Sequence, residues 1–311
     1  MASKFAPCAD EVWALHHGKG EVDLVFQKIA EQGHYAGRTV PTDTRQGIYA
    51  LAPSGAFLAS INTRDPRAMA RMLREALVKW EALPESDRYP RELPTQRTWA
   101  DEYPEDGLVL RTYSRDLPRG GEAGRPEDWR AQAWNQDFAW FTKAEARQLA
   151  PESLAPGAER KIPHRLLERI ATLHLVDNVR GQTPPYAPEH LKEGELRSTV
   201  TGVDGDVVRL RLEGRVLLQA QGQWRTNGHQ GEPTRNERGA GFKLLGAADW
   251  DTGAERFVRF DLLAIGDRWG ATQYNGRADD PGPAPMGVLL TISEADVRVA
   301  PAYIWRYDWQ R

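Results

Sequence analysis

Apolar residues recur along this chain at two spacings, and the change of period divides it. In the first third they fall three and four apart, the period of one helix face: Val22, Val25, Phe26, Ile29 and Ala30, with Gly33 placed to end the element. Ile48 to Leu51 and Ala56 to Ile61 then flank Ala52-Pro53-Ser54-Gly55, a turn sequence that predicts a hairpin. Asp65-Pro66 opens the clearest helix, with Asp65 as N-cap and Pro66 at the first helical position. Its stripe is Met69, Met72, Leu73, Ala76, Leu77, Trp80 and Leu83. From Pro84 to Pro126 the chain shifts to Pro, Arg, Glu, Asp and Gly and reads as a linker holding one short strand at Leu108 to Tyr113. Beyond it, Thr142-Lys143-Ala144-Glu145 fits a capping box. Leu166, Leu167, Ile170, Leu173 and His174 return to helical spacing within Pro163 to Gly181.

From Leu196 the period becomes two. Val208, Leu210 and Leu212 alternate with Arg209, Arg211 and Glu213, and Val258, Phe260, Leu262 and Ala264 alternate with Arg259 and Asp261. Tyr303, Trp305, Tyr307 and Trp309 continue the alternation to the end of the chain. Such runs, separated by glycine-containing turns, predict an antiparallel sheet curled into a barrel or sandwich. Two connections within it are long. Gly222 to Gly241, with Arg225, His229, Arg235 and Arg238, reads as a mobile insertion. Gly266 to Gly287, with Arg268, Trp269, Tyr274, Asn275, Arg277, Asp279 and Asp280, has aromatic residues to pack and is expected to be ordered. The fold class is therefore α+β, with an α/β module at 1–83, a linker at 84–125, a helical middle region at 126–195 and an antiparallel β domain at 196–311.

Residues 4 to 14, with Phe5, Val12 and Trp13, read as a further strand ahead of the first helix. The resulting order over residues 4 to 83, strand, helix, hairpin and helix, resembles the C-terminal half of the thioredoxin fold. That resemblance implies a thioredoxin-like N-terminal module and, through it, an accessory role beside a thiol oxidoreductase system. The chain departs from the family at both of its signatures. It has no Cys-x-x-Cys, and Gln46-Gly47 stand before the hairpin where the family has its cis-proline. Thiol–disulfide exchange needs an attacking and a resolving sulfur, and this chain has one cysteine, Cys8.

Composition narrows the partners more than the chemistry. A net charge of -3, with no run of five or six like charges, points to neither nucleic acid nor an anionic membrane surface as partner. No apolar run approaches the roughly 18 residues of a spanning helix, so membrane insertion is not expected. The remaining partner classes are a small molecule or another protein. The single cysteine excludes an internal disulfide, and Cys8 reads as a small apolar residue on a strand. No address is visible. Cytoplasmic placement is the default expectation, and an extracytoplasmic one follows if Met1-Ala2-Ser3 replaces a natural leader.

Two groups of residues carry candidate chemistry. His174 and Asp177 stand three apart on a predicted helix, so the carboxylate could orient the imidazole, and Arg180 could clamp an acidic group. Together they suggest a hydrolase or metal-dependent site; the competing reading is a core histidine beside a helix end tied to the sheet. Neither His-Glu-x-x-His nor any other metal-ligand spacing occurs, so no metal is expected and no cofactor is named. His16-His17 reads as an exposed polar turn. The second group is Trp269, Tyr274, Asn275 and Arg277 in the long connection, a contact surface for a ligand or partner. With no catalytic motif elsewhere, the leading expectation is a binding protein.

Overall fold

The computed structural model describes residues 2–6, 15–16, 18–36, 45–90, 99–119, 129–228, 231–294 and 297–309. The chain divides into two compact units, Met1–Arg97 and Thr98–Arg311. Among the described residues no helix is long and apolar enough to cross a membrane.

In the first unit the local signals act as expected. Helix α1 spans Glu21–Ala30. Strands β1 (Ile48–Leu51) and β2 (Phe57–Ile61) pair antiparallel, and the Gly55 N–H bonds Ala52 O at 2.9 Å to close the turn. Helix α2 spans Pro66–Ala82, and its Asp65 cap accepts the main-chain N–H groups of Arg67 and Ala68 at 2.9 and 3.2 Å. These bonds satisfy two of the four donors that every helix start leaves open. Met72 and Ala76 of α2 pack on Ala50, Leu58 and Ala59 of the hairpin to form a small core. Of the strand expected over 4–14, residues 4–6 form none, Lys4 closing a 3-10 turn that starts at Ala2, and the rest, with Cys8, lies outside the described residues. His16, expected in an exposed turn, is buried, with the Arg45 guanidinium 2.9 Å from its Nδ1.

The second unit is one open antiparallel sheet of eight strands in the order β4-β3-β10-β9-β8-β7-β6-β5. The strands are β3 (Leu108–Asp116), β4 (Trp134–Phe141), β5 (Glu159–Lys161), β6 (Leu191–Asp204), β7 (Val207–Trp224), β8 (Thr234–Asp251), β9 (Arg256–Trp269) and β10 (Ala284–Ile292). Because side chains alternate across a pleated strand, each register row lies on one face. The row Asp137, Thr112, Leu290, Leu262, Gly246, Leu212 and Ser198 crosses seven strands on the buried face. The next row, Leu289, Leu263 and Leu245 with Glu213, faces outward. Short helix α3 (Lys143–Arg147) carries the Thr142–Glu145 capping box. Helix α4 (His164–Arg169) continues as a π-helical turn, Ile170–His174, and its apolar face packs on the sheet core.

Several expectations are corrected here. The sheet does not close into a barrel, since β4 and β5 stand at its two ends. The stretch 126–195 is no separate helical region, because β4 and β5 belong to the sheet. Phe138, Ala139, Trp140 and Phe141 are buried consecutively, so β4 lacks the alternation that marks a strand with one wet face. The strand expected at Leu108 to Tyr113 is present and longer, running nine residues as β3 between β4 and β10, so that part of 84–125 is sheet rather than linker. The connection taken as a mobile insertion shrinks to 225–233, and Arg238 is a buried strand residue held by Pro184 O and Pro185 O. Finally, the alternating aromatics at the end form no strand: Ile304–Arg306 is a 3-10 turn with Tyr303 and Tyr307 buried beside it.

Candidate functional site

At one end of the sheet, three chain segments converge on charged groups. Asp116 is the last residue of β3, Arg268 stands next to the end of β9, and Arg277 and Asp280 lie in the β9–β10 connection, residues 270–283. Asp177 and Arg180 arrive from the turn after the π-helical stretch. That stretch ends at His174, so Asp177 is no longer on a helix and the side chains three apart do not meet. His174 turns instead into the core.

Arg277 is the centre of the cluster and is fully buried. Its Nη1 and Nη2 donate to the two oxygens of Asp116 at 2.8 and 2.7 Å, and Nε and Nη2 donate to the two oxygens of Asp177 at 2.8 Å each. A planar guanidinium matches two carboxylates in this forked way, which a lysine cannot do. Arg180 bridges Asp116 and Asp280 at 2.8 and 2.9 Å. Arg268 donates to the Asp280 carboxylate and to its main-chain oxygen, both at 2.7 Å. Arg119, half-exposed, adds a further bond to Asp280.

The electrostatics follow from opposed effects. Burial raises the Asp116 carboxyl, but hydrogen bonds from Arg277 and the charges of Arg277, Arg180 and Arg268 outweigh it and hold the group below the usual carboxylate range. Burial likewise acts against the ionised Asp280, yet Arg119 and Arg268 bring it down to about 2. For Arg277, burial favours the neutral form, and the bonds to Asp116 and Asp177 overcome it, so its guanidinium is held charged more firmly than usual.

The remaining bonds fix the loop backbone. Asn275 is buried, and its Oδ1 accepts the N–H groups of Thr272 and Arg277 at 2.9 and 3.2 Å. Gly270 has φ +90°, and an added Cβ would lie 2.4 Å from Glu237 O, so the chain leaves β9 by a path that only glycine takes easily. The Gly270 N–H then bonds Pro281 O at 2.7 Å. Gln182 pairs with Tyr274 in an isolated bridge, and Trp224 Nε1 donates to Ala271 O at 2.8 Å. Trp269 donates to Glu237 at 3.0 Å. Of the four ligand candidates, Asn275 and Arg277 are thus interior, Trp269 lies against β8, and Tyr274 is on the surface at 47% exposure.

His174 belongs to a second buried group. Its Nε2 is 2.7 Å from the Tyr307 hydroxyl, which accepts the Trp140 main-chain N–H at 3.3 Å. The two share one hydrogen bond, and the other ring nitrogen, Nδ1, lies 4.0 Å from Asp137 Oδ2. Burial, helped by the nearby Arg169 charge, pushes the imidazole down to about 3. Burial also pushes Asp137 up to about 6, against the hydrogen bonds from the Ala302 and Phe138 N–H groups. Beside them Arg169 pairs bidentately with Glu145 at 2.9 Å and stacks among Phe141, Tyr307 and Trp309.

An open cleft of about 500 Å³ lies nearby, lined by Glu102, Asp106, Lys143, Glu145, Arg165 and Trp309 among others. Lys143 is bonded to Glu255 and Arg165 to Glu145, so both cations are met within the protein. Among the described residues no group of three or more His, Cys, Asp or Glu is placed to hold a metal ion. No family model, curated protein or solved structure matches this chain.

Proposed function

We propose that the second unit is a recognition module in which the 270–283 loop presents a preset surface around Tyr274 to a protein or small-molecule partner. The observation that carries this reading is the packing of three guanidiniums, Arg268 and Arg277 buried and Arg180 partly so, against carboxylates from three separate segments. Desolvating so many charges is a poor way to gain stability, since apolar residues of similar volume often do as well or better. It is a good way to hold an irregular 14-residue connection in one conformation. A loop already in its bound shape loses less freedom on association, and a rigid tyrosine makes an effective contact.

The test places a photo-crosslinking amino acid at Tyr274 and, as control, at Trp305, which is 57% exposed elsewhere on the unit. Irradiation in cells producing the protein should give one discrete adduct from position 274 and none shared with position 305. Identical or absent adducts at both positions would refute the reading.

A further inference from the structure

The first unit contains a hydroxyl and an imidazole arranged for chemistry. Ser60 on β2 and His34, in the turn after α1, are both partly accessible. Ser60 Oγ is 2.7 Å from His34 Nδ1, while His34 Nε2 is 3.1 Å from Gln46 O. A carbonyl oxygen only accepts, so the ring hydrogen must sit on Nε2. That leaves the Nδ1 lone pair to accept the Ser60 hydroxyl hydrogen, the protonation state a general base requires. The ring is fixed further by stacking on Tyr49, with centroids 5.1 Å apart and planes 29° apart. The His34 main-chain N–H, 3.0 Å from the same Oγ, stabilises negative charge there as the hydrogen leaves.

Two glycines make the pair possible. A Cβ at Gly33 would lie 2.1 Å from Ser60 Oγ, and one at Gly47 would lie 2.4 Å from His34 Cε1. Any side chain at either position would push the two groups apart. A nucleophile, a base within hydrogen-bond reach and a third group orienting the base are the features shared by activated serines on unrelated folds.

We propose that Ser60 is a nucleophile, with His34 as its general base, for acyl transfer from small activated esters. As Oγ attacks the ester carbonyl carbon, its hydrogen passes to Nδ1. The bond to the leaving oxygen then breaks, and that oxygen takes the hydrogen away as the alcohol. Water, deprotonated by the same nitrogen, releases the acid and restores Ser60.

An alkyl fluorophosphonate tests the first step directly, because attack expels fluoride and leaves a stable phosphonylated serine. Incubated with the full-length protein, it should add one phosphonyl group, which mass mapping places on Ser60. His34→Ala should cut the labelling rate at least tenfold, and Ser60→Ala should abolish it, with circular dichroism confirming that each variant folds. If either variant unfolds, the mapped position on the native chain still decides. Native protein that stays unlabelled, or is labelled elsewhere, would overturn the proposal and leave the two bonds as a clamp between the turn and β2.

Discussion

Replacing Arg277 with methionine removes the centre of the charged cluster while keeping most of its volume. Asp116 and Asp177 would then be left facing each other in the interior without the four hydrogen bonds they now accept from it. Removing one partner of a buried ion pair costs about 3–5 kcal/mol, because the remaining charge is desolvated and unmet. A unit of this size shifts its melting temperature by about 2–4 °C per kcal/mol. We expect a fall of roughly 10 °C in a melt followed by tryptophan fluorescence, with most of the loss recovered by adding Asp116→Asn and Asp177→Asn. The effect should also depend on pH. In the native chain the ionised Asp116 is favoured on folding, so its contribution is present above its unfolded value and lost as pH falls through the lower folded one. In the variant Asp116 keeps only Arg180 and the charge of Arg268 against burial, so that favour shrinks, and acidification should narrow the gap. A melting temperature within about 2 °C of the native chain at pH 7 would refute the reasoning.

Two further outcomes concern the buried group around His174. Asp137 is pushed up to about 6, above its unfolded value, so ionising it opposes folding above that pH and ceases to matter well below it. Asp137→Asn should therefore stabilise the protein by about 2–3 kcal/mol at pH 8 and change little at pH 4, measured by urea denaturation at both. His174, held down to about 3, should show no titration of its ring proton signals between pH 8 and 5, whereas an unfolded histidine would titrate. Its contribution to stability is present above the unfolded imidazole value and is lost as pH falls from there towards 3.

What the sequence revealed depended on whether the signal was local. Asp65-Pro66, the stripe from Met69 to Leu83 and the Ala52–Gly55 turn each state their structure within a few residues, and all three formed as read. Strands β7 and β9 were visible because one face is wet. The second half of strand β4 was hidden because both of its faces are covered there, one of them through Trp140, which packs edge-on against Tyr103 and stacks with Trp309. The site shows the same limit. Asp177, Arg180 and Arg277 stood out as dense polar positions, but the pairing of Asp177 with His174 presumed an unbroken helix, and the turn after His174 carries Asp177 to Arg277 instead. Asp116 gave no signal, since its partner lies 161 residues away and only the register of β3 beside β10 brings the two together. Ser60 and His34, 26 residues apart, were equally silent.

Recognition through Tyr274 requires the 270–283 loop to be held in one conformation. Amide hydrogen exchange of the native protein measures this directly. The N–H groups of Gly270, Thr272, Arg277 and Asp280 are all bonded within the loop. If the charged cluster fixes the loop, they should exchange as slowly as those of β9 and β10, over hours. Exchange within seconds, as in an ordinary exposed connection, would contradict the account.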